Sequence, residues 1–248
     1  MHRRARQSST SGNGRITGSI MLETVIALPV VLVLGLSITQ WALIHQARAV
    51  VDHATLMAAR SGALSNAESS PMRNAFARAI VPLHLKDTGA TAFEQAFFTR
   101  AVPDARLNLA LTILNPTREA FADHGRRDQN GDIYLPFRHP RSRAHQHRPA
   151  QRHQSQDATL LRVRATYGYP LKVPYAGAFI LQAVRVATRW SSAYGVRERA
   201  MLATGRLPLV TTATVRMQSR AYRGAQFARR SELPRVPRHT PDSGNNAP

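Results

Sequence analysis

One carboxylate stands where a carboxylate is costly. Glu23 is the only charged residue in an apolar run from Ile20 to Ile44. An ionised acid at the centre of a membrane span costs about 2.5–3.5 kcal/mol, less near the interface, so this one calls for a cation. Hydrolysis of the Gly18–Ser19 bond would supply it. Ser19 would then begin the chain with a free α-ammonium, and Glu23 would be its fifth residue. Four positions apart on one helix face, the two charges would be within reach of each other or of the same pair on an adjacent subunit.

The remaining groups able to do chemistry read differently. In "RDQNGDIY", Asp128, Asn130 and Asp132 alternate as calcium ligands do. Ile133 then stands in place of the turn glycine and His139 in place of the bidentate glutamate, so Asn130-Gly131 predicts a tight turn instead. His139, His145, His147 and His153 lie among arginines that would repel a metal ion, with no acid beside them. The chain has no cysteine, which removes thiolate catalysis, disulfides and Cys-bound zinc. No G-x-S-x-G elbow, P-loop, H-E-x-x-H or dinucleotide fingerprint occurs. The expectation is a chain that is not an enzyme and carries neither metal nor cofactor.

The element that must position Glu23 is a long helix. Twenty-five residues from Ile20 to Ile44 rise about 37 Å, enough to cross a hydrocarbon core of about 30 Å. Pro29 lacks an N–H and should bend or loosen that helix. Beyond the span, Ile44, Ala47, Val51, Ala54, Ala58 and Ser61 recur at spacings of three and four, a stripe of mostly small residues. Such a stripe fits close packing in a bundle of like subunits, or against the chain's own sheet. Arg48 and Asp52, one turn apart, should pair. "SGALSNAESSP" ends the helix.

The rest reads as a small α+β domain. Ser70-Pro71 starts a helix through Met72, Phe76, Ile80 and Leu83, and a second spans Ala90 to Ala101. Leu107, Leu109, Leu111 and Ile113 alternate as in a strand, as do Leu161 to Tyr169 and Leu209 to Met217. Asn115-Pro116 closes the first of these strands and leads into a helical turn through Phe121. The prediction is an antiparallel sheet of three or four strands beside the long helix. The apolar stretch from Pro174 to Val184 is too short to span and is expected to be a core helix.

Lys and Arg total 34 against 14 Asp and Glu, a net charge of +20, and only Lys86 and Lys172 are lysines. Residues 138–157 and the tail 229–248 hold nine of these arginines and read as disordered. Anionic lipid, acidic protein faces and nucleic acid are all possible takers. With aromatics at 6% of the chain and none interleaved in the basic loop, a stacking platform for single strands is missing.

"G-SIMLE" resembles the prepilin cleavage site of type IV pilins and pseudopilins. "GSIMLETVIALPVVLVLG", followed by "HQARAVVDHATLMAARSGA", is similar to the N-terminus of TadE-like pseudopilins of the tight-adherence (Tad/Flp) pilus system, in which a proline also follows six residues after the glutamate. Thr24 stands where that family usually has an aromatic residue. The resemblance implies a minor pilin or pseudopilin whose site residues are Gly18 and Ser19 at the scissile bond and Glu23 as assembly carboxylate. It also implies a prepilin peptidase, other pilin subunits, the Tad assembly platform and membrane lipid as partners. The corresponding organisation is a basic leader 1–18, a transmembrane helix 19–45, its extension 46–66, an outer domain 67–228 and a tail. Four arginines and no acid in the leader place it in the cytoplasm and the outer domain across the inner membrane. Two alternatives stand beside this: a plain single-pass envelope protein, and a basic extracytoplasmic module that binds DNA or another polyanion. Basic Arg3, Arg4 and Arg6 and the small-x-small pattern at Ala47 to Ala49 also fit a cleaved secretory signal, although the apolar core is longer than such signals carry.

Overall fold

The computed structural model describes residues 14–85, 87, 89–135, 160–189, 195–224 and 227–229. The basic loop 138–157 with its four histidines, most of the leader and residues 230–248 of the tail lie outside the described residues. From Gly14 to Ile20 only the backbone is described.

Helix α1 takes up Gly14–Leu64, 51 residues, or about 76 Å at 1.5 Å per residue. Pro29 lies inside it and does not interrupt it. Asn66 and Ala67 adopt left-handed φ values of 55° and 58°. Ala67 N–H returns to the Gly62 carbonyl at 2.8 Å, an arrangement that closes helix C-termini. The Ala63 carbonyl, freed at this end, accepts from the backbone N–H groups of Gln218 and Ser219, both at 3.0 Å, and from the Ser219 hydroxyl at 2.9 Å.

Helix α2 (Ser69–Ala79) folds back on α1 and buries Met72 and Phe76. Gly62 makes that approach possible, because a Cβ there would lie 2.8 Å from the Met72 sulfur. A short 3-10 turn (Val81–Leu83) follows. Helix α3 (Ala90–Ala96) then runs through a π turn (Phe97–Ala101) into α4 (Val102–Asn108). The helix expected to stop at Ala101 therefore continues for two more turns, and Leu107, read as a strand residue, is helical and 83% exposed. Pro103 fits the first turn of α4. Asn108 Nδ2 donates to the Asp104 carbonyl at 3.3 Å and to its carboxylate at 2.9 Å, which holds the last turn helical.

Two three-stranded antiparallel sheets follow. In the first, β4 (Leu160–Pro170) is central, between β1 (Leu109–Asn115) and β5 (Arg206–Arg216). Leu109 pairs with Tyr167, Ile113 with Val163, and Val163 with Ala213. Leu161, Val163, Ala165, Tyr167 and Tyr169 face the core as their alternation requires, and Arg162 faces out. Thr166 and Gly168 are buried as well. Helix α7 (Val196–Ala203) packs on this end of β4 and β5 and covers the second face.

The second sheet was not expected. It joins β2 (Arg126–Arg127), β3 (Ile133–Leu135) and β6 (Ala221–Tyr222) in the order β2-β3-β6. Strands of two or three residues are too short to show a period of two. Between β2 and β3 lies the Asn130-Gly131 turn: Gly131 has φ 84°, its N–H reaches the Asp128 carbonyl at 3.0 Å, and Asp128 N–H reaches the Asp132 carbonyl at 2.9 Å. Helix α5 (Arg118–His124) precedes this hairpin. Phe121 on α5 meets Phe227 edge to face, ring centroids 4.8 Å apart.

Helix α6 (Ala176–Arg189) differs from expectation. It is helical, but it is not a core helix: Ala176, Gly177 and Thr188 are buried, whereas Phe179 is 71% exposed. One side meets α1, and Arg185 donates to the Leu202 carbonyl at the end of α7 at 2.6 Å.

Candidate functional site

Along α1, exposure divides the helix into two parts. The large apolar side chains at Met21, Val25, Ile26, Leu28 and Val30 to Leu34 are all between 50% and 69% exposed, and Glu23 is exposed among them. These residues lie all round the helix, so no face of this part is reserved for the chain's own core. Glu23–Leu64 is long and apolar enough to cross a membrane. Gly18 and Ser19 lie in the first turns of α1, five and four positions before Glu23.

From Gln40 onward one face is covered. Gln40, Ala47, Val51, Ala54 and Ala58 are each 0% exposed. The covering elements are α2, β4 and β5, so this stripe packs on the chain's own sheet, and its surface is not available to a neighbouring subunit. Thr55 marks the seam. Its hydroxyl is 2.5 Å from that of Thr211 on β5 and also bonds the Val51 carbonyl at 2.8 Å, which satisfies two buried polar groups between helix and sheet. Arg48 and Asp52 point away from the seam as exposed side chains and do not close the ion pair expected of them.

A second grouping was missed by the sequence reading. The Asp104 carboxylate, near the start of α4, accepts hydrogen bonds from the Tyr167 hydroxyl and from Asn108 Nδ2, and pairs with Arg206 at 2.8 Å. His84 Nε2 lies 3.6 Å from the same carboxylate. Burial holds the His84 imidazole below its ordinary pKa despite the pull of Asp104, and Lys172, Arg100 and Arg206 push the same way as burial. Burial, the Asp104 charge and its hydrogen bond all raise the Tyr167 phenol well above its ordinary value. This is a neutral histidine, a neutral tyrosine and one carboxylate tied to an arginine. The arrangement locks the α4 end of the helical layer to β4 and β5 and holds no activated nucleophile. Residues 84, 104, 108, 167 and 206 share no motif, so no spacing could have found them.

In the hairpin, the Asp128 carboxylate is occupied within the protein: Oδ1 accepts from Gln129 N–H at 2.9 Å and Oδ2 from the Tyr222 hydroxyl at 3.2 Å. It fastens the turn to β6.

The model of the TadE-like protein family matches residues 18–60. The matched stretch opens at Gly18 and takes in Glu23, Pro29, the exposed apolar part of α1 and the buried stripe. No curated protein and no solved structure matches the chain. The TadE-like family is one of structural, pilus-associated proteins, so the match points to a protein that associates with the Tad pilus and its other components. Among the described residues one helix, near the N-terminus, is apolar and long enough to span, which fits a single-pass membrane protein.

Proposed function

We propose that the chain is a TadE-like minor pilin or pseudopilin, a structural subunit of a Tad/Flp pilus or its base. It is made as a precursor in the bacterial inner membrane, with the basic leader 1–18 in the cytoplasm and the domain from residue 67 onward on the far side. Prepilin peptidase cuts after Gly18. The new Ser19 ammonium and the Glu23 carboxylate then neutralise one another between subunits at the correct axial stagger, which removes the cost of an isolated acid at the membrane face.

The observation that carries this reading is the division of α1. Its N-terminal part is bare all round, apolar and marked by one acid, while one face of its C-terminal part is occupied by the chain's own sheet. The part of α1 that includes Glu23 thus offers apolar surface on every side for lateral contacts between subunits. An ordinary anchor has no use for a carboxylate there.

Two measurements test it. N-terminal sequencing of the mature chain should begin at Ser19; Met1 would mean an uncut anchor, and Val50 a secreted domain. Glu23→Ala should leave membrane insertion intact and lower recovery of the chain with sheared pili or with its partner subunits. Undiminished recovery would remove the assembly role of Glu23.

A further inference from the structure

Helix α6 leaves an apolar face bare beside the end of the proposed span. Ala178, Phe179, Gln182, Ala183 and Val186 recur at helical spacing on its exposed side, and only Gln182 among them is polar. Tyr175, just ahead of the helix, continues the same stripe. It is 81% exposed and holds a φ of 61°, a conformation that bulky residues rarely adopt. An amphipathic helix on a water-soluble surface turns its large apolar residues inward. Here Phe179 is 71% and Val186 48% exposed.

The axial position of α6 says what covers this face. Val173 N–H, at the foot of the segment leading into α6, donates to Gln40 Oε1 at 2.8 Å, and α6 packs on α1. Counted from Ile20, a hydrocarbon core of about 30 Å takes about 20 residues at 1.5 Å each. That count ends beside Gln40, where Ile38 and Trp41 are 71% and 61% exposed. The bare stripe of α6 thus starts at the level where acyl chains give way to headgroups and continues the bare apolar surface of α1. Tyrosine and tryptophan favour that level, and exposed Lys172, next to Val173, suits anionic headgroups.

We propose that α6 is an interfacial helix, with Tyr175, Phe179 and Val186 seated at the headgroup–acyl boundary of the bilayer that α1 crosses. The proposal rests on α1 being the span. The chain then holds the membrane at two places, which suits a subunit retained at the membrane-embedded base of a pilus.

The absence of cysteine makes the test clean. Single nitroxide labels on Phe179→Cys and Val186→Cys, in the full chain reconstituted into phosphatidylcholine–phosphatidylglycerol vesicles, are compared for collision with oxygen and with a water-soluble nickel chelate. Val31→Cys in the span and Thr214→Cys serve as references. Thr214 pairs with Arg162, beside Leu161, which would lie 3.2 Å from a Cβ at Gly62 at the far end of the α1 seam. Phe179 and Val186 labels should favour oxygen over nickel several-fold more than Thr214, at a shallower depth than Val31. If Val31 reports lipid while both α6 labels match Thr214, the interfacial helix is refuted and the span stands. If the α6 labels are shielded from both reagents and broaden one another between copies, a second copy covers the face and the proposal is equally overturned. A Val31 label in water removes the span and the inference together.

Discussion

Alanine at Asp104 removes the acceptor on which a fully buried hydroxyl depends. Tyr167 is 0% exposed and its hydroxyl donates to Asp104. With the carboxylate gone, that hydroxyl loses its acceptor, and leaving it unsatisfied costs about 1–3 kcal/mol. Arg206 loses its partner at 2.8 Å too, but the arginine side chain is 25% exposed, so that loss adds only about 0–1 kcal/mol. The total is about 1–4 kcal/mol, which for a domain of this size lowers Tm by roughly 2–16 °C. In a Tyr167→Phe background no hydroxyl is left to orphan, so Asp104→Ala should cost about 1–2 kcal/mol less there. Thermal unfolding of the full chain in detergent micelles, followed by near-ultraviolet circular dichroism for the wild type, both single variants and the double variant, measures this coupling. Equal costs of Asp104→Ala in the two backgrounds would refute the account of the cluster.

His84 gives a pH dependence of defined sign. Burial lowers its folded pKa, so below about pH 6.5 the unfolded chain binds the proton first. The stability it contributes is complete above that pH and drains away as pH falls toward the lowered folded value. Unfolding midpoints between pH 8 and pH 5 should fall more steeply for the wild type than for His84→Asn, and parallel curves would contradict the assignment. Ala54→Leu forces three extra carbons into the closed seam between α1 and its sheet. A loss of about 1–3 kcal/mol is expected in denaturant titrations, and an unchanged midpoint would mean that the seam is not packed shut.

Several features were legible because they are local. An unbroken apolar run with one acid in its first turn is a property of consecutive residues, and so is the Asn130-Gly131 turn. The three-and-four spacing of Ala47, Val51, Ala54 and Ala58 required one helix face to be buried, and the alternation from Leu161 to Tyr169 required one strand face to be. Phe227 carried little signal: a lone aromatic in an arginine-rich stretch, it is 1% exposed because Ala228 N–H bonds the Ile113 carbonyl at 2.8 Å and Arg118 Nε bonds the Phe227 carbonyl at 2.8 Å.

Sequence by itself determined that α1 is a helix with a membrane-length apolar part, that an acid marks its beginning, and that an α+β domain with an antiparallel sheet follows. Tertiary structure alone decided what meets each face. It gave the small-residue stripe to the chain's own sheet, left α6 with its apolar side bare, carried α4 through Leu107, built a second sheet from two- and three-residue strands, and gathered Asp104, Tyr167, Arg206 and His84. The physical reason is that periodicity says a face will be buried but not by which partner. Partners far away along the chain, such as Thr211 for Thr55, 156 positions on, are chosen by the closing of the fold.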